Sequence, residues 1–180
     1  RWNLNNPFRS DGDELRRIRY DLINSRFLAE GIDATRWPAY IRDLRGRLTE
    51  GGWLQMLEFN LNIQSDSGRR EEAHSLVTWM DHYSQAMQRL QRDPLVGNKL
   101  QQYMAAAGLV DVRYERQRLP IGPWLGAQYI SLEVMKEILK ATGIWACCHV
   151  FGMTPQQFNA LVDGAVREMA NPALKLYVPL

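Results

Sequence analysis

A chain of 180 residues that is 46% apolar has room for one domain with a real core. Its 22 basic and 20 acidic residues leave a net charge of only +2, and the arginines are spread along predicted helices rather than gathered in a run. That balance excludes a dedicated nucleic-acid or membrane surface, and no apolar run approaches the roughly 20 residues that span a bilayer.

Residues 1–14 carry turn formers and few apolar residues, so they read as loop after at most a short strand. Leu15 to Arg19 is charged and interrupted. Tyr20 to Ser25 then reads as a strand that runs on through Leu28 into a polar turn. Asp33 to Thr35 offers a cap, and Pro38 suits a first helical turn. Trp37, Tyr40, Ile41, Leu44 and Leu48 fall three or four apart, which is one helix face. Arg47 to Phe59 follows as a helix end, a two-glycine turn and an apolar strand. Leu54, Met56 and Leu57 make that strand apolar on both faces, as expected where helices cover a sheet on both sides. Two strands joined by a helix form a right-handed βαβ unit with both strands parallel, and such sheets bind ligands past the carboxyl ends of their strands. Glu58 through Gly68, which includes Asn60, Asn62 and the run SDSG, is the polar exit and should line that cleft.

Ala73, Leu76, Val77, Met80, Tyr83, Met87 and Leu90 predict a helix over 69–90, stopped by Asp93 and Pro94. A further helix is expected from Asn98 to Ala107, with Gly108 as its carboxyl cap. Val110, Val112 and Tyr114 alternate with polar residues and predict a strand near a sheet edge. The loop LPIGPWLG precedes a helix from Ser131 to Cys148 and a second one capped by Thr154, Pro155 and Gln157. Leu174 to Leu180 reads as a last strand. No internal repeat or low-complexity tract is present. Cys147 and Cys148 are the only cysteines, and neighbours bridge only with strain. Both therefore read as reduced residues of a cytosolic or nuclear protein. The first residue is Arg1, so the chain is read as starting inside a longer reading frame or as having lost an upstream part.

The runs YDLINSRFL, LTEGGWLQMLEF, SDSG, RLPIGPW and LYVPL, in this order, resemble the fungal methyltransferases related to the secondary-metabolism regulator LaeA. The resemblance implies a class I fold: the C-terminal part of a Rossmann-like α/β sheet with a helical substrate cap. Residues 1–68 would be the strand-helix-strand core, 69–107 a helical cap segment, and 108–180 the remaining strands and cap helices of the same domain. It also implies S-adenosylmethionine as cofactor and a small-molecule acceptor. The glycine-rich turn and the acidic ribose ligand of the family are not visible in these residues.

On the family pattern, Asn24, Ser25, Arg26 and Phe27 lie beside the transferring methyl, and Arg26 is placed to pair with the cofactor carboxylate or with Glu58 or Glu30. The run NLNNPF sits where an acidic loop covers the adenine, which makes Asn3 and Leu4 candidates there, with an ordinary asparagine-turn loop as the alternative. Glu58, Asn60, Trp79, Tyr83, Trp124 and Phe151 are candidates for the acceptor pocket, since an aromatic cap suits a flat or apolar molecule. Core packing explains most of the aromatic residues equally well. His82 and His149 are the candidate bases, with ordinary packing as the alternative. His74 lies eight residues before His82, close enough in angle on one helix to face the same cleft. No metal site is arguable from the spacing. Two further functions stay open: a methyltransferase-fold cyclase or isomerase, and a non-catalytic partner or regulatory subunit. In the family the Tyr20–Ser25 strand pairs with the strand carrying the glycine-rich turn. Its exposed edge therefore implies pairing with a complementing chain, with upstream residues or with a second copy in a homo-oligomer.

Overall fold

The computed structural model describes residues 3–8 and 18–180. The rest of the N-terminal loop and most of the charged stretch at 15–19 lie outside the described residues. The chain forms two compact units that alternate along the sequence: Arg1–Phe59 with Gln91–Glu115, and Asn60–Leu90 with Arg116–Leu180. The architecture is mixed α/β, with a two-stranded parallel sheet in the first unit and a three-stranded antiparallel sheet in the second.

In the first unit β1 (Tyr20–Arg26) and β2 (Leu48–Leu57) are joined through α1 (Trp37–Arg45), and the strands run parallel as the βαβ reading requires. Ile23 pairs with Leu54 and Ser25 with Met56. The two glycines do not form a turn before β2. They lie inside the strand, where the register jumps between Tyr20↔Leu48 and Leu22↔Trp53. Gly51 adopts φ +75°, and a Cβ on Gly52 would stand 3.0 Å from the Tyr20 carbonyl, so the bulge needs both glycines. Leu48, expected on the α1 face, begins β2 for the same reason.

One face of this ribbon packs on a core of Ile32, Trp37, Tyr40, Ile41, Leu44, Val96 and Leu100. The other face is open: Leu22 and Trp53, neighbours in register, are 59% and 64% exposed. The expected cover on both faces is therefore absent among the described residues. The cap expected at Asp33 to Thr35 is also absent. Asp33 pairs instead with Arg92, and the N-cap position of α1 is Arg36, whose side chain makes no capping bond. Helix α3 (Leu100–Ala106) ends as expected at Gly108, φ +83°, with the Leu109 amide returning to the Met104 carbonyl. No strand forms over 110–114. Val110 is 85% exposed, because an alternating pattern yields a strand only where a neighbouring strand pairs with it.

The second unit is built on α2 (His74–Arg89), α4 (Leu132–Ile144) and α5 (Pro155–Met169), with α4 continuing into a π-helical turn over Trp145–Val150. Helix α2 packs on both α4 and α5. It approaches closely where glycines allow: a Cβ on Gly143 would run into the Trp79 indole, and one on Gly164 into Ser75. The Trp79 indole N–H donates to the Leu139 carbonyl at 3.1 Å. Helix α2 lacks a cap of its own, and Glu168 of α5 accepts from the amides of Ser75 and Leu76, both at 2.9 Å. The capping box at Thr154 and Gln157 forms as the sequence predicts. Strands β3 (Gln64–Ser65), β4 (Arg118–Pro120) and β5 (Leu176–Pro179) complete the unit in the order β3-β5-β4.

Candidate functional site

The carboxyl ends of β1 and β2 bring polar and aromatic groups together in the first unit. The pairing continues past the strands, with the Phe27 amide donating to the Leu57 carbonyl at 3.0 Å. The chain then turns sharply. Its amides at Leu28 and Ala29 donate to the Glu58 carboxylate at 2.9 and 3.1 Å, so the residue that ends β2 holds the turn that ends β1. Glu58 is only 4% exposed, and this desolvation raises its carboxyl above the ordinary value of 4.5 although the two amide bonds oppose the shift.

The turn places Phe27 at φ +55°, a conformation that a bulky residue rarely adopts. Its ring stacks on Phe59, centroids 4.1 Å apart and planes within 9°, while Phe27 stays 49% exposed. Phe27, the first residue beyond β1, and Phe59, the second beyond β2, thus form one aromatic platform. Phe59 lies within the exit 58–68 that the sequence assigns to the cleft, but it was not singled out there. Its only signal was an aromatic directly after the polar residue that closes an apolar strand.

Beside the platform, Arg26 Nε donates to Asn24 Oδ1 at 2.8 Å, and Asn24 Nδ2 donates to Gln55 Oε1 at 2.7 Å. Arg26 is exposed, and its terminal N–H groups remain available as donors in a planar fork. Ser25 faces the other way: it is buried, 3.2 Å from the Tyr40 hydroxyl, whose own ionisation burial pushes up. The loop 3–8 belongs to the same unit. Asn3 Oδ1 accepts from the Asn5 amide, while Asn5 bonds the Gly31 carbonyl and the Asp33 amide. Arg36 donates to the Leu4 and Asn6 carbonyls and pairs with Asp43 at 2.5 Å. Asn3 and Leu4 therefore sit in a loop fastened to the segment that follows the Phe27 turn.

The remaining candidates belong to the second unit. Trp79 and Tyr83 stack with centroids 5.2 Å apart and are buried in its core. His82 is half-buried, stacks on Phe151 at 4.2 Å, and has Nδ1 4.0 Å from Cys147 Sγ. Burial first, then Cys148, pushes the Cys147 thiol up to about 11, so it is protonated and unreactive near neutral pH. His74 and His149 are exposed, and the latter's ring lies 6.2 Å from that of Trp145. The Asn60 amide donates to the Pro179 carbonyl, and the Trp124 indole donates to the Leu176 carbonyl. Among the described residues, no three His, Cys, Asp or Glu side chains cluster to hold a metal, and no helix is long and apolar enough to cross a membrane.

No family model matches the chain, and no solved structure matches it. Curated proteins do. The secondary metabolism regulator laeA of Fusarium oxysporum is 28% identical over 157 residues, 82% of this chain and 49% of its own length. The methyltransferase pytC of Aspergillus terreus is 26% identical over 112 residues, 62% of this chain and 34% of its own. The probable methyltransferase tdiE of Emericella nidulans is 26% identical over 106 residues, 59% of this chain and 32% of its own. The chain is similar in sequence to the LaeA-like fungal methyltransferases. It spans about a third to a half of the length of these curated relatives. In this LaeA-like chain the segments read from sequence as methyltransferase-like, around Ile23 and Met56, are indeed neighbouring parallel strands.

The Glu58 clasp gives two expectations for urea unfolding. Glu58→Ala should destabilise the fold by about 1–3 kcal/mol, because two amides lose their acceptor. Between 4.5 and the raised folded value, the folded chain holds a proton on Glu58 that the unfolded chain releases. Stability should therefore fall as pH rises through that window, and Glu58→Gln should remove this component of the slope.

Proposed function

We propose that this LaeA-like protein is an S-adenosylmethionine-dependent methyltransferase acting on a small-molecule acceptor of secondary metabolism. The observation that carries the reading is the open carboxyl end of a parallel strand pair, furnished with an exposed guanidinium and an exposed aromatic platform. The names of the related methyltransferases support it. The residues fit the methionine end of the cofactor. Arg26 keeps its terminal N–H groups for a carboxylate, which the fork geometry would bind in bidentate fashion. The Phe27 and Phe59 rings offer a π-face to a positive sulfonium. Asn3 and Asn5 are engaged in holding their own loop, which leaves Leu4 and the loop backbone as the groups nearest in role to an adenine cover.

When bound, the cofactor supplies an activated methyl on a good leaving group, so the protein's task is mainly to position the acceptor. Arg26 and Phe27 orient, and Glu58 keeps the turn that presents them. His82 and His149 remain the proposed bases for an acceptor that must lose a proton. Asn60, Trp124 and Phe151 remain proposed acceptor residues on the second unit, whereas Trp79 and Tyr83 are buried in its core. The open edge of β1 over Tyr20–Ser25 is proposed to receive another strand, from further residues of a longer protein or from a second chain.

Calorimetric titration with S-adenosylmethionine should show saturable binding that Arg26→Ala weakens about tenfold, the scale of a lost charge-assisted pair. Product mass should rise by one methylene unit. No binding by the intact protein would remove the transferase reading in favour of a regulatory subunit, and an unchanged product mass would favour a cyclase or isomerase. Size-exclusion chromatography with mass detection should find the 20.9 kDa chain in an oligomer or within a longer polypeptide, and a stable 180-residue monomer would contradict the edge proposal.

A further inference from the structure

The second unit carries a groove of its own, in which Trp124 is the one residue already proposed for the acceptor. It encloses about 280 Å³ between the loop 121–131 and the carboxyl end of α5, and its apolar walls are Trp124, Tyr129, Leu132, Met169 and Pro172. Surface loops seldom hold aromatic rings firmly, but this one does. The Trp124 indole N–H donates to the Leu176 carbonyl at 2.8 Å, and its backbone amide to the Gly122 carbonyl at 3.0 Å. Gly122 at φ +75° permits that fold-back. Two bonds through Ile130, from the Gly122 amide to its carbonyl at 3.0 Å and from its own amide to the Pro120 carbonyl at 2.9 Å, close the loop at its base. The Trp124 ring is therefore fixed, and Tyr129 stands exposed beside the same groove.

The charge lining the groove has one sign. Among the described residues, Glu133 is the only charged one that lines it. Glu133 lies in the first turn of α4, where its own backbone amide and then the Ser131 hydroxyl hold its carboxyl below the usual range. Two bonds leave a carboxylate with free lone pairs. The positive end of α4 is already answered, since Ser131 accepts from the Val134 amide and Glu133 adds a full negative charge. The opposite rim, Met169 and Ala170, is the carboxyl end of α5, where the last carbonyls of a helix carry partial negative charge. The first lysine of α4, Lys136, is paired with Asp163 at 2.7 Å.

We propose that this groove binds a small organic cation, an amine or ammonium on a flat or compact apolar body. The charge is met by Trp124, Tyr129 and the Glu133 carboxylate, and the body lies against Leu132, Met169 and Pro172. Aromatic faces beside a carboxylate are the usual chemistry of ammonium recognition, and an anionic rim selects against acids of the same shape. The volume suits one ring system with a short side chain. The proposal rests on the groove's own lining and needs no cofactor at the strand ends, so failure of the transferase reading leaves it standing.

Tryptamine and indole-3-propionate, alike in their indole body and opposite in charge, make the test. Each is titrated into the full 180-residue chain and followed by amide and indole N–H resonances. Tryptamine should give saturable shifts at the Trp124 indole and at Tyr129 and Glu133, while indole-3-propionate should not. Glu133→Gln, at an exposed site, should weaken tryptamine about two- to fivefold, the range of an exposed ion pair. Tyr129→Leu, also exposed, should weaken it further and guards against a purely helix-capping effect of the first variant. The proposal is overturned by equal binding of the acid, by unchanged affinity in both variants, or by no saturation at roughly 10 mM tryptamine.

Discussion

A single buried carboxylate ties together the carboxyl ends of the two strands of the first unit. Glu58 closes β2, yet both of its hydrogen-bond partners belong to the turn that closes β1. Two adjacent strands could end anywhere relative to one another. This clasp makes them end together, so that Phe27 and Phe59 meet and Arg26 is held to the side by Asn24. The left-handed conformation of Phe27 follows from the same constraint. A backbone cost on the order of 1–3 kcal/mol at such a residue persists only where the surroundings enforce it. Here the surroundings are two amide bonds to a desolvated carboxylate.

The second unit applies the same chemistry to a different end. Glu168 takes up the free amides at the start of α2, as Glu58 takes up those of the loop after β1. Close helix contact then depends on two glycines, and the Trp79 indole fills the space that Gly143 leaves and donates to the neighbouring carbonyl of Leu139. Such packing makes Trp79 and Tyr83 a rigid inner layer. The histidine and cysteine next to them, His82 and Cys147, sit where burial suppresses thiolate formation.

Much of this was legible in the residues. The strand-helix-strand order, the start of α1 at Trp37 and Pro38, the glycine end of α3 and the capping box of α5 each rest on short-range rules that the sequence states directly. What was not legible depends on partners far along the chain. Gly51 and Gly52 read as a turn because a bulge shows itself only against the register of β1. Val110 to Tyr114 has strand spacing but no strand to pair with among the described residues. Glu58 read as a polar residue lining a cleft, because its acceptor role spans 30 positions. The Phe27–Phe59 stack was hidden by a φ that no rule assigns to phenylalanine in advance.

The strand-end geometry of the first unit rests on β1 and β2 being fastened at their carboxyl ends by Glu58. Hydrogen exchange at the Leu28 and Ala29 amides measures that fastening directly. In the native protein these two loop amides should be protected to the level of the β1 amides, and should lose that protection in Glu58→Ala while the strand amides keep theirs. Exchange at the rate of an open loop in the native protein would contradict the account.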